Sequence, residues 1–236
     1  RGGRRKTNAS IPQLSGGLVE FKSELHIGAE VYSEGVFERN SPLYPQNFFN
    51  PASDGEFPPE FTVRHGELLK YTGSDKTVVV PQGIVRIGTG AFWANLAIEE
   101  VVLPERLACI CGDAFVYCEN LKQVNIPSSV IEMGDDPFAG CLNIEIDNQS
   151  AHFVNENGVL FDNTKRFLIH YTAGKSETEY IIPESVTWIG KHSFYKCRNL
   201  RLVTVTRNVR FMGNNAFSDC RNIRLKNESE YFQYVD

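Results

Sequence analysis

IPSSVIEMGDDPFAGC, residues 126–141, carries no catalytic signature, yet its frame recurs as LPERLACICGDAFVYC at 103–118 and IPESVTWIGKHSFYKC at 182–197. Aligned on proline, Pro81, Pro104 and Pro127 lie 23 residues apart, Pro183 opens a fourth copy, and Thr206 takes the anchor of a fifth. Eleven residues after each anchor stands a phenylalanine: Phe92, Phe115, Phe138, Phe194 and Phe217. Fourteen after it come Asn95, Cys118, Cys141, Cys197 and Cys220, and six after it Ile87, Ile110, Met133, Ile189 and Met212. A period in the low twenties marks one coil of a solenoid, because a single coil cannot bury its own apolar face and must stack on the next.

Each coil writes a short strand before its anchor: VVV at 78–80, VVL at 101–103, VNI at 124–126, YII at 180–182 and VTV at 203–205. The first and third members are apolar, as a strand with one buried face requires. Stacked, these strands form a parallel sheet that the anchor stops, since proline lacks an N–H. After the anchor, Ile or Met followed by Gly in four copies reads as a second extended segment ending in a turn; Cys111 takes the Gly position in the second copy, with Gly112 behind it. The regular Phe is a core spine. The thiols of neighbouring coils point in parallel, so free cysteines are expected rather than disulfides.

The string IPSSV…MG…PFAGC…L and its siblings resemble the BspA-like subtype of leucine-rich repeat, pattern I-P-x-x-V-x-x-I-G-x-x-A-F-x-x-C-x-x-L, from about residue 61 to 225. Departures fall in single copies: Pro137 and Ser193 for the Ala, Cys111 for the Gly, Thr206 for the Pro. The resemblance implies a mainly β leucine-rich-repeat solenoid, with one short parallel strand per coil, short second strands, helical turns and inserted β-hairpins. Such repeats place Asn or Cys where a buried side chain meets turn backbone. Family members are mostly large bacterial or protist surface proteins associated with adhesion, so the resemblance implies an extracellular or cell-surface location and binding, not catalysis. The expected partner is a protein or glycan on a host, a matrix or another microbe.

Between the third and fourth anchors the spacing jumps to 56. The insert, about 147–178, holds Asn157-Gly158 between apolar runs, a strong hairpin signal, and DNTK at 162–165 as a second turn. FTVRHGELLKY at 61–71 looks like another hairpin copy, and IRLKNESEYFQYV at 223–235 parallels IEIDNQSAHFVNE at 144–156. Two domains follow: 1–60, a flexible segment and cap or domain remnant, and 61–236, the repeat domain. The C-terminal copy begins a hairpin without finishing it, so either a truncated cap or a longer native chain is expected.

The net charge of -5 gives no electrostatic case for nucleic acid or anionic membrane, and RGGRRK at 1–6 reads as a solvated tail. No stretch is apolar enough to span a bilayer. No signal peptide is visible, and an Arg at position one marks a processed product or fragment. No histidine among His26, His65, His152, His170 and His192 has a partner at metal-ligand or triad spacing, and Asp135-Asp136 reads as a turn former, so no metal, cofactor or catalytic residue is expected. Cys109 and Cys111 would point to opposite faces of an extended segment. Asn8, Asn148 and Asn227 head N-x-S/T sequons, which matter only in a eukaryotic secretory host.

A ligand is expected on the outward strand positions: Thr77 and Val79, Glu100 and Val102, Gln123 and Asn125, Glu179 and Ile181, Leu202 and Thr204. A second column, five after the anchor, holds Arg86, Cys109, Glu132, Trp188 and Phe211, and neighbouring aromatics such as Trp188 and Phe211 mark interaction sites when exposed. The alternative to a binding module is a structural spacer within a larger chain.

Overall fold

The computed structural model describes residues 57–231 and, outside them, two short strands, β1 (Ser10–Ile11) and β19 (Gln233–Tyr234), which pair in parallel. Of the N-terminal domain expected over 1–60, only 57–60 fall inside the described stretch.

Each coil contributes two strands. The strands before the anchors are β4 (Thr77–Val79), β6 (Glu100–Val102) and β8 (Gln123–Ile126), followed by β10 (Glu145–Asn148); they form one parallel sheet in the order β10-β8-β6-β4. After the insert, β14 (Glu179–Ile181), β16 (Leu202–Val205) and β18 (Arg224–Asn227) repeat the arrangement. Partners step by one repeat period, Thr77 opposite Glu100 and Glu100 opposite Gln123, so every coil presents the same positions to the same face. Each anchor carbonyl then accepts a hydrogen bond from the residue three on, as from Leu107 to Pro104 at 3.0 Å and from Val186 to Pro183 at 2.9 Å. The anchor therefore opens a turn, and the apolar residue closing it (Ile84, Leu107, Val130, Val186 or Val209) is fully buried.

The second strands are β5 (Arg86–Ile87), β7 (Cys109–Ile110), β9 (Glu132–Met133), β15 (Trp188–Ile189) and β17 (Phe211–Met212). At the glycine that follows, neighbouring backbones nearly touch: a Cβ on Gly134 would lie 2.2 Å from the Gly112 nitrogen. In the second copy Cys111 takes this position and a glycine follows it, where a Cβ on Gly112 would lie 2.8 Å from Asp135 O of the next coil.

The third side of the coil is turn throughout, and no helix forms among the described residues. Two positions per coil, nine and thirteen after the anchor, take positive φ on either side of the Phe, as at Asp113 (56°) and Tyr117 (62°) around Phe115. The paired left-handed residues fold the chain sharply and drive the ring inward. Turn backbones are bonded coil to coil, Phe92 N to Ala114 O at 2.9 Å and Phe194 N to Ala216 O at 2.8 Å. The rings stack at 4.8 Å (Phe92–Phe115), 5.5 Å (Phe115–Phe138) and 4.7 Å (Phe194–Phe217), with Tyr71 and Tyr171 extending the two runs.

The thiol column works with this spine. Cys118, Cys141 and Cys220 donate Sγ–H to the carbonyls of Phe92, Phe115 and Phe194 in the preceding coil at 3.0, 3.2 and 2.9 Å, and Asn95 donates its amide to Gly73 O at 2.9 Å. All six cysteines are free and buried. Cys109 and Cys111, expected on opposite faces of an extended segment, are both buried, and the strand that carries Cys109 ends at Ile110.

Two hairpins punctuate the stack. β2 (Phe61–Arg64) and β3 (Glu67–Tyr71) turn through His65-Gly66, and β11 (Phe153–Glu156) and β12 (Val159–Asp162) through Asn157-Gly158, all four at positive φ. In the second case a third strand, β13 (Phe167–Tyr171), follows and pairs in parallel with β15, as β3 does with β5. The core accordingly forms two clusters. Leu160 and Ile169 of the insert face the first, with Phe138; Val159, Phe161, Leu168 and Tyr171 face the second, with Phe194. The parallel between 144–156 and 223–235 extends to side chains: Asn148 and Asn227 each accept from the backbone N–H of the serine two on. Those serines, Ser150 and Ser229, donate to Val130 O and Val209 O at 2.6 Å. The N-x-S pattern there has a turn-building role.

Candidate functional site

The outward strand positions are not equivalent. Val79, Val102, Gln123, Glu179 and Ile181 are exposed, the last at 69%, while Glu100 and Leu202 are half-buried. Thr204, expected on this face, is corrected to buried at 8%: Ile181 and Lys226 stand beside it in the parallel register. Asn125 is committed to the fold. Its Oδ1 accepts from Leu103 N at 2.7 Å and its Nδ2 donates to Leu103 O at 3.1 Å, closing the ladder where β6 ends. Beside the first strands, Glu99 lies between Lys122 and Lys76 at 2.5 and 2.7 Å, which hold its carboxyl down at about 2. Such exposed pairs are worth little energetically.

The second-strand face divides into two ladders. In the first stack Glu67, Arg86, Cys109 and Glu132 stand in register, with Arg86 bonded to Cys109 Sγ at 3.1 Å and 3.5 Å from Glu67. Burial raises the Glu132 carboxyl, opposed by Arg86. In the second stack the register aligns Phe167, Trp188 and Phe211. Trp188 and Phe211 lie 4.8 Å apart, Phe167 meets Trp188 edge-on at 6.2 Å, and all three rings are half-buried. Phe167 joins them only because the insert supplies β13, a placement no repeat spacing announces.

A shallow groove of about 540 Å³ flanks this ladder. Arg166, Thr187 and Arg210, the residues just before the three aromatics, line it with Glu184, Arg207, Glu228 and Tyr231. The Arg210 guanidinium sits over the Tyr231 ring at 5.5 Å. Flat apolar rings beside a row of charged donors and acceptors suit a ligand with both apolar and hydroxyl- or amide-bearing faces. On the turn side, Trp93 is 66% exposed and Leu96 is also exposed, neither having been marked by the column logic.

The turn side also brings groups together across the insert. Tyr117 lies 5.7 Å from Tyr195, reaching over Gly140, where a Cβ would sit 2.9 Å from its ring, and Lys196 pairs with Glu119 at 2.6 Å. Asp113, Asp136 and His192 each offer one ligand atom within 4.8 Å of the others. His192 Nδ1 is 3.0 Å from Asp136 Oδ2, yet the contact is not aligned as a hydrogen bond, and neither Asp136 oxygen accepts one among the described residues. The distance alone therefore does not make an ion pair. Burial drives the Asp136 carboxyl well up, reinforced by Asp113, and drives the His192 imidazole down.

Two stacks of short parallel strands, an aromatic spine and carbonyl-bonded thiols define a leucine-rich-repeat solenoid. The chain belongs to the BspA type leucine rich repeat family, which matches residues 56–165 and 171–234 in six copies. Among solved structures it is similar to a leucine rich cell surface protein from Faecalibacterium prausnitzii A2-165, at 27% identity and TM-score 0.59 over 65% of this chain and 41% of that one. The pneumococcal vaccine antigen PcpA shares the fold at 23% identity and TM-score 0.60, covering 67% of this chain and 40% of that one. The chain thus spans about two fifths of either. No curated protein matches it. No helix of the described residues is long and apolar enough to cross a membrane.

Proposed function

We propose that this chain is a non-enzymatic interaction module of a microbial cell-surface protein, binding a protein or glycan of a host, matrix or other microbe through the solenoid face. The carrying observation is the half-exposed ladder of Phe167, Trp188 and Phe211 beside the groove of Arg166, Thr187 and Arg210. Exposed neighbouring aromatics rimmed by polar groups are the composition of interaction hot spots. The neighbouring strand positions Glu179, Ile181 and Leu202 extend the surface, with Glu100, Val102 and Gln123 further along it. The surface location rests on family membership and on likeness to the Faecalibacterium cell surface protein.

The test is a binding screen of the chain against extracellular-matrix proteins and glycans, with Trp188→Ala/Phe211→Ala as the paired variant. Saturable binding, weakened about tenfold or more in the double variant with the fold intact, is the expected result, since buried aromatic hot spots carry about 2 kcal/mol or more each. Silence across the panel would favour the spacer reading. Binding indifferent to the double variant would move the site to another face.

A further inference from the structure

The position nine after each anchor forms a column: Gly90, Asp113, Asp136, His192 and Asn215, all at positive φ between 51° and 65°. Equal backbone conformations in stacked coils aim their side chains alike. The second, third and fourth coils therefore project two carboxylates and an imidazole toward one point, although 56 residues separate Asp136 from His192 in the chain. The geometry points to a divalent-metal site formed by Asp113, Asp136 and His192, where the two coil stacks meet, taking a first-row cation such as zinc or cobalt.

The second observation is Asp136 itself. The residue is 1% exposed, neither oxygen has a hydrogen-bond donor among the described residues, and Oδ2 faces His192. A buried carboxyl group without partners is costly unless a proton or a cation neutralises it. The donor set, one imidazole nitrogen and two carboxylate oxygens, suits zinc, cobalt or manganese; calcium takes six to eight oxygens. Metal–ligand bonds of about 2.0–2.2 Å place neighbouring donor atoms about 3.0–3.5 Å apart. His192 Nδ1 and Asp136 Oδ2 already stand at 3.0 Å. Asp113 is half-exposed, and a carboxylate oxygen of it already lies within 4.8 Å of the other two ligand atoms; its competing contact is Lys191 Nζ at 3.8 Å, between two side chains about 40% exposed. That pair is weakly held, so a bound cation displaces the ammonium. Binding takes the imidazole in its neutral form and releases any proton on Asp136. Three protein ligands leave a coordination position on the solvent side, where water completes the shell. The ion would clamp the second and third coils to the fourth, next to the Lys196–Glu119 pair.

The test compares the chelator-treated chain with Asp136→Asn and His192→Asn. Asparagine already occupies this column as Asn215, at φ 57°, so both variants keep the backbone conformation. Titration with Co²⁺, read by its visible absorption, and competition with Zn²⁺ should give one saturable site per chain. Affinity should fall about tenfold or more in each variant, and melting in chelator should stay at or above that of the parent for Asp136→Asn. Either ion should raise the melting temperature of the parent and not of the variants. No saturable uptake of either ion would overturn the site. So would uptake unchanged in both variants and lost instead in His152→Ala, which would mark an adventitious surface histidine.

Discussion

Acidification should weaken this fold through one ring. His170 is 3% exposed, edge-on to Phe138 at 5.9 Å, and neither of its nitrogens has a hydrogen-bond partner among the described residues. Burial alone holds its pKa down at about 4, against 6.5 for the ordinary imidazole. Between those values the unfolded chain takes up a proton that the folded chain refuses. The unfolded state then binds more protons, so stability rises with pH through this window. The contribution is complete above pH 6.5, is lost as pH falls toward 4, and is constant below that. At about 1.4 kcal/mol per unit, the span amounts to roughly 3 kcal/mol. His170→Phe removes the titration and both unpaired nitrogens and continues the aromatic spine. Urea unfolding followed by tryptophan fluorescence should find the variant at least as stable as the parent at neutral pH. The gap should widen by roughly 3 kcal/mol by pH about 4. Asp136, whose carboxyl is raised, acts in the opposite sense, but it is common to both proteins and cancels in the difference. Stability profiles that run parallel from neutral to acid pH would refute the reasoning and mean that the imidazole titrates freely in the native state.

Gly134→Ala would press a Cβ onto the Gly112 nitrogen 2.2 Å away, backbone against backbone, and should cost about 1–3 kcal/mol in chemical denaturation. The thiols should be silent toward a thiol reagent in the native chain and react together on unfolding, all six being free and buried; early reaction of Cys118 or Cys141 would contradict their bonds to Phe92 and Phe115.

What the sequence made legible was whatever repeats. The anchors, the Phe spine and the thiol column each recur in register, and the structure realises them as turn openers, stacked rings and carbonyl-bonded side chains. What it hid was set by the insert. Tyr171 takes a spine position 23 residues before Phe194, but it stands in a stretch with no anchor of its own. His170 looks like an ordinary strand residue until β13 wedges it against Phe138. The candidate face was legible in its alternation and not in its burial: Thr204 alternates outward yet is buried, with Ile181 and Lys226 beside it in register. Asp113, Asp136 and His192 share a column, but the insert adds 33 residues (56 minus the period of 23) before the last of them, and that extra length conceals the match.

The division of the core at β11–β13 bears on how the chain is made. Coils contact chiefly their neighbours, so ordering can spread from one coil to the next. The first stack has all its strands by Asn148, and β12 supplies Leu160 to its cluster before any of the fourth coil has been synthesised. A ribosome-bound chain can therefore close its first stack early, with the hairpin shielding apolar rings during the interval before the next coil emerges. The same β12–β13 pair then offers Phe161 and Leu168 as a ready surface on which the second stack nucleates.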